Sequence, residues 1–299
     1  MEAGIPIQVF LPWVIAALML GVGLGLHITD FLALFRTPGV ALLGLTNMFL
    51  VFPALAFLLA WAFSLTPMLA VGLVLLAASP SASTSTVFTD LARGDTALSL
   101  ALTAVSKFLP VLTIPLYVSI AARWFADMET AFSLSFADTS ERMVVMVLIP
   151  LIIGMAIRHH RPELAARARR HVLRIALAAL VVLIVVLVHR ERHALPGMLL
   201  AAGPAALALC LAGMCWGYAS TALAGYGWRK RTAVTLEMAM QSGGTTIAIA
   251  AGILAVPAMA VPGAVYSLIM YVVAGLFVAY ATWFAADAPL GVRRNLGKL

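Results

Sequence analysis

Apolar runs of membrane-spanning length follow one another almost from one end of the chain to the other, separated by short polar connections. That pattern constrains the fold more than any single residue. A helix needs roughly 20 mostly apolar residues to cross a bilayer. Charged residues make up 10% of the chain against 63% hydrophobic, whereas soluble proteins carry about 25% charged residues. The runs are continuous rather than alternating, which argues against a membrane barrel. The sequence predicts an all-α membrane protein.

Segmentation gives nine transmembrane helices, at about 6–27, 38–63, 67–92, 95–122, 141–158, 171–189, 195–224, 231–255 and 259–286. The first run follows Glu2 and has no basic region before it, so it reads as a membrane helix rather than a cleaved signal. The loops on the side of the N-terminus hold Arg123, Arg142, Arg190 and Arg192, whereas fourteen Lys and Arg fall on the other side, many of them in RHHRPELAARARRHVLR at 158–174. Positive loops stay in the cytoplasm. The expectation is an inner-membrane protein with its N-terminus outside and its C-terminus cytoplasmic. The basic excess is then a topology signal facing the lipid bilayer, with no nucleic-acid partner.

Two of the spans carry the marks of a broken helix. AASPSASTSTVFT (77–89) places Pro80 and a run of small hydroxyl residues midway along one span. Proline removes a backbone donor, and serine and threonine compete for backbone groups. EMAMQSGGTTIA (237–248) places Gly243 and Gly244 inside another, beside Glu237 and Gln241. Irregular backbone at membrane depth persists only inside protein or beside a water-filled cavity. The two breaks occupy corresponding, oppositely oriented positions in helices two to four and seven to nine. That arrangement points to inverted repeats with a binding site between two discontinuous crossing helices. Close helix packing by the glycines is the competing explanation.

The half-helix after each break offers free N–H groups to an anion. Ser83, Thr84 and Ser85 after the first break, and Ser242, Gly243 and Thr245 after the second, are candidate substrate-binding residues. Tyr271 on the last helix joins them; the alternatives are self-capping of the broken ends and, for the tyrosine, packing. Cys210 and Cys215 lie five apart on one apolar helix, on different sides, and read as packing. The histidines have no metal-binding spacing, and no cofactor is expected.

Three stretches in order, GLGLHITDFLALFRTPGVALLGL, TDLARGDTALSLALTAVS and EMAMQSGGTTIAIAAGILAVPAMAVPGAVYS, resemble the bile acid:sodium symporter family, including bacterial homologues of the apical bile acid transporter. The resemblance implies a fold of core and panel domains, here with core helices at about 38–122 and 195–286 and panel helices at about 6–27 and 141–189. It implies transport of a small organic anion, coupled to two sodium ions. Carried over by motif, the first ion site would use Ser85, Thr86, Ser99, Thr103 and Glu237. The second would use Glu237, carbonyls near Met238 and Met240, Gln241 and a side chain from helix two. The chain departs from the pattern at Thr86 and Ser242, where the family has Asn, and at Met48, where it has Gln and where Asn47 is one position off. Thioether sulfur is a poor ligand for a hard cation, so the second site loses an oxygen.

Lys107 is the chain's one lysine in an apolar stretch. Twelve residues past Asp95, at 1.5 Å each, it lies about 18 Å along helix four, near the middle of a core about 30 Å thick. A lysine that deep faces a cavity or a counter-charge. Ser99, Thr103 and Lys107 are spaced i, i+4, i+8 and share a face, and Glu237 is the only acid deep in a helix core. The expectation is that the Lys107 ammonium does the work of a bound sodium ion. Burial and a neighbouring carboxylate oppose each other in setting its protonation, so proton-coupled or sodium-independent transport follows. A static Lys107–Glu237 pair and a wet vestibule are the rival roles. Among other functions, an enzyme would need a nucleophile–base pair or a metal cluster, and none is legible. A receptor or photoreceptor would use Lys107 as a Schiff-base lysine. An ordinary sodium:organic-anion symporter is the nearest alternative.

Overall fold

The computed structural model describes residues 7–126, 136–191 and 195–287, and among them there is no β-strand, only helices and one isolated antiparallel bridge. In chain order the helices are α1 (Ile7–Gly23), α2 (Leu32–Arg36, entered through a 3-10 turn at Ile28–Phe31), α3 (Pro38–Thr46), α4 (Phe52–Ala62), α5 (Pro67–Ala78), α6 (Ser85–Leu91), α7 (Thr96–Ser106) and α8 (Pro110–Ala126). They continue as α9 (Phe136–Met143), α10 (Ile149–His160), α11 (Pro162–Glu191), α12 (Leu195–Leu223), α13 (Trp228–Ala239), α14 (Gly243–Ala248) and α15 (Val261–Asp287). Four helical stretches among the described residues are long and apolar enough to cross a membrane, and two bent pairs raise the number to six if each is one span.

Prolines set several of the irregularities. The π-helical turns Asn47–Val51 and Val144–Leu148 run directly into helices that carry Pro53 and Pro150 near their starts. A wider turn relieves the clash of the proline ring with the preceding carbonyls and absorbs the missing donor. Helix four, expected as one element over 95–122, is two. α7 ends at Ser106, a turn covers 107–109, and α8 starts at Pro110 with a bend of 64°. Pro110 cannot donate into the preceding turn, which tightens so that Lys107 N bonds Ala104 O at 3.2 Å. Lys107 is therefore the C-cap of α7 rather than a mid-helix residue. The sixth segment also differs from expectation. It starts at Pro162 rather than near 171, because Arg161 is non-helical and Pro162 is preset for the first helical position, so most of the basic stretch 158–174 is helical.

α1, α10 and α11 pack on one another, while α12 packs against α13, α15 and α4, and α5 against α4 and α8. Contact between α1 and α10 is backbone-close at Gly23, where an added Cβ would stand 2.2 Å from Leu151 O. The largest buried cluster runs through α5, α12, α13 and the segment after α14, and α5 is buried on all sides from Leu69 to Ala78.

Candidate functional site

Both expected breaks are present and they meet. α5 stops at Ala78, and Ser79 turns to extended backbone at φ −73°, ψ 160°. α13 stops at Ala239, with Met240 extended at φ −112°, ψ 91°. The two extended pieces pair as an antiparallel bridge between Ser81 and Gln241. Ala82 N donates to Met240 O and Ser242 N to Pro80 O, each at 2.8 Å. Each break thus satisfies backbone groups that the other has freed, which is what keeps irregular backbone tolerable away from water. Ala239 O, released by the end of α13, accepts from the buried Tyr266 hydroxyl at 2.8 Å.

Glu237 lies one turn before the second break and is fully buried. Its Oε1 accepts from Ser85 Oγ at 2.5 Å and from Ser99 Oγ at 2.6 Å. Thr103 Oγ1 stands 2.9 Å and 3.0 Å from the two carboxylate oxygens. Thr86 Oγ1 lies 3.2 Å from Ser99 Oγ. Two helices, α6 and α7, therefore converge on one carboxylate of α13, and all five residues carried over to the first ion site lie in one hydrogen-bonded cluster. Every group in it is an oxygen, the donor a hard cation takes. The hydroxyls now donate to the carboxylate, but a hydroxyl also carries lone pairs and rotates to suit its partner.

Lys107 is 95% buried, at 5% exposure. Its ammonium does not form the direct contact with Glu237 that the rival static pair would show: the one ion pair within 4.0 Å among the described residues is Arg167–Glu163, on the surface. Lys107 Nζ donates instead to the backbone carbonyl of Ser81, at the crossing itself. The reason is the early end of α7. Ser99 and Thr103 are on the helix and reach Glu237, whereas Lys107 lies past its end and reaches the neighbouring break. Glu237 is still near enough to act on it electrostatically. Ser106 completes the link: its Oγ donates to Thr103 O at 2.7 Å and lies 3.0 Å from Ser81 Oγ. An ammonium has three donors, and no acceptor besides Ser81 O is bonded to this one among the described residues.

The second proposed ion site has a different character. Gln241 Nε2 is 3.2 Å from Met238 O and 3.4 Å from Glu237 O, while Gln241 Oε1 is buried with no partner. Met240 O is already taken by Ala82 N. Asn47 does not stand in for the missing glutamine: its amide is held by α12, donating to Ser220 Oγ at 2.8 Å and accepting from Trp216 Nε1 at 3.1 Å. Met48 is buried beside it in the π-helical turn.

Of the expected substrate residues, Ser83 is exposed and Thr84, Ser242 and Thr245 are half-buried. Thr84 Oγ1 lies 3.4 Å from the hydroxyl of Tyr271, which is 43% exposed, and Ser242 Oγ lies 2.7 Å from Thr245 Oγ1. The other two are placed differently. Ser85 is fully buried and turned to Glu237, so it belongs to the carboxylate cluster rather than to an open cradle. Gly243 is buried, its N–H bonds Gln241 O at 3.1 Å, and an added Cβ would stand 1.8 Å from Ser267 Oγ and 2.5 Å from Gly263 O. Close packing against α15 is its reason. Gly243→Ala is expected to cost about 1–3 kcal/mol by forcing the half-helix off α15, read as a lower melting temperature in detergent; Gly197→Ala, with nothing within 4 Å of the new Cβ, is the neutral control. Sequence reasoning missed Ser81 and Ser106. Both carried a signal: Ser81 is inside the first break, and Ser106 is one turn beyond Thr103 on the same face.

Residues 12–197, more than half of the chain, match the Sodium Bile acid symporter family. The chain belongs to this family. Its relatives are named as transporters, not enzymes. It is 28% identical over 256 residues to the uncharacterized sodium-dependent transporter YocS of Bacillus subtilis (strain 168), covering 84% of this chain and 76% of that protein. It is 27% identical over 231 residues to the ileal sodium/bile acid cotransporter of Oryctolagus cuniculus, covering 76% and 65%. With the probable sodium/metabolite cotransporter BASS2, chloroplastic, of Oryza sativa subsp. japonica, the identity is 28% over 253 residues, covering 83% and 58%. The matches therefore cover less than two thirds of the rabbit and rice proteins' own length.

Proposed function

We propose that this family member is a secondary transporter for a small organic anion, working by alternating access, and that Lys107 supplies a positive charge the family resemblance assigns to bound sodium. The observation that carries this reading is the Lys107 ammonium itself, buried and bonded to Ser81 O where the two broken helices cross, close to the hydroxyl-held Glu237. Two of its donors are free for a carboxylate, and Ser83, Thr84, Ser242, Thr245 and Tyr271 lie near the ends of the same breaks. In this reading nine spans form two inverted repeats, the group α1, α10 and α11 acts as the panel, and the crossing helices belong to the moving core. The N-terminus is outside and the C-terminus cytoplasmic in the cell membrane.

Sodium coupling is the second reading, and the names of the relatives together with one orphaned atom favour it. Gln241 Oε1 is a buried acceptor without a donor, a position that an incoming cation would satisfy. Uptake into proteoliposomes separates the readings. With radiolabelled taurocholate and pantothenate as probes, the first reading expects uptake of an anion in choline buffer, lost in Lys107→Ala. Uptake that requires an inward sodium gradient, or that survives Lys107→Ala in choline, contradicts it.

A further inference from the structure

The strongest feature outside the crossing is the basic start of α11. The stretch 158–174 holds Arg158, Arg161, Arg167, Arg169, Arg170 and Arg174, no lysine, and Glu163 as its one acid. Some of these are committed. Arg158 Nη2 lies 2.7 Å from His27 Nε2, and its Nη1 donates to Pro162 O at 3.1 Å; Arg169 lies against Gly25; Arg167 pairs with Glu163 at 3.5 Å. Arg161, Arg170 and Arg174 are exposed and have no side-chain partner among the described residues.

Their placement is ordered. Arg167, Arg170, His171 and Arg174 are spaced i, i+3, i+4, i+7 and share one face of the helix. Val181 and Val185, at i+7 and i+11 from Arg174, continue that face and are exposed. The helix below Arg174 carries the apolar run 175–188. From Arg174 to Glu191 is about 26 Å of helix, close to the hydrocarbon thickness of about 30 Å. Arg174 thus stands at the edge of the core, and Arg170 and Arg167 about 6 Å and 10 Å above it, at headgroup level. At the top of the stripe the α10–α11 turn opens a cleft of about 370 Å³ lined by His160, Arg161, Pro162, Glu163, Leu164 and Arg167.

We propose that this face and cleft seat the phosphate groups of anionic phospholipids, fixing the α1–α10–α11 group to the membrane surface. Guanidinium forks match phosphate oxygens two at a time, which lysine does not do. A charge excess that only set topology would need neither the single helical face nor its register above the lipid-facing valines.

The test uses the purified full chain in neutral detergent, following melting temperature as phosphatidylglycerol, phosphatidylcholine or inorganic phosphate is added. Phosphatidylglycerol is expected to stabilise, and the other two are not. Each arginine contributes about a fivefold factor in lipid affinity. The triple variant Arg161→Gln/Arg170→Gln/Arg174→Gln should raise the half-saturating phosphatidylglycerol concentration on the order of a hundredfold. Arg170→Gln alone should raise it about fivefold, and carries the test if the triple variant does not insert. Arg36→Gln/Arg93→Gln/Arg229→Gln removes the same charge from the same predicted side and should leave the curve within about twofold. Equal stabilisation by phosphatidylcholine, full replacement by inorganic phosphate, no shift in Arg170→Gln, or an equal loss in the second triple would overturn the proposal.

Discussion

Glu237→Ala is expected to be the most damaging single substitution in the protein. It removes the acceptor of Ser85 Oγ, Ser99 Oγ and Thr103 Oγ1 together, all of them buried, and leaves the buried Lys107 ammonium without its nearby counter-charge. Removing one member of a buried charged network costs about 3–5 kcal/mol. Melting in detergent should fall on the order of 10 °C. Glu237→Gln keeps an acceptor for the hydroxyls and should lose less than half as much, while transport should be absent in both variants. If Glu237→Ala and Glu237→Gln melted alike and close to wild type, the carboxylate would not be the centre of the cluster.

Lys107→Ala should have the second-largest effect. It takes the donor from Ser81 O at the crossing and leaves Glu237 as a buried anion, at a cost of about 2–4 kcal/mol. The two charges touch through the field rather than by contact, so the double variant Lys107→Ala/Glu237→Gln should be less than additive by about 1–3 kcal/mol. Costs that add to within about 0.5 kcal/mol would mean that the two groups act independently.

The sequence carried the helical class and the two breaks, because each rests on a local rule, apolar run length and proline or glycine within a span; the residues gathered on Glu237 came from the family resemblance, and i, i+4 spacing added only that Ser99 and Thr103 share a face. It did not carry what depends on contact between distant segments. One helix running straight through Pro110 would put Lys107 on the Ser99–Thr103 stripe, whereas the bend there turns its ammonium to Ser81 O. Gly243 carries the same composition signal whether it opens a site or permits close packing, and only the approach of Gly263 and Ser267 decides between them. Asn47 was equally ambiguous beside Met48 until Ser220 and Trp216, more than 160 residues away, took up its amide. The basic stretch 158–174 read as a connection because arginine density masks helical periodicity, although Pro162 at the first helical position was a visible start signal.

The measurement that tests the role of Lys107 most directly is thermal stability of the detergent-purified protein in sodium chloride against choline chloride at equal ionic strength, for wild type and Lys107→Ala. If the ammonium takes the place of an ion, wild type melts at the same temperature in both salts, while Lys107→Ala is stabilised by sodium, by about 2.7 kcal/mol at a hundredfold excess over its dissociation constant. Sodium-specific stabilisation of the wild type, with no added response in Lys107→Ala, would contradict the account and leave the chain an ordinary sodium symporter.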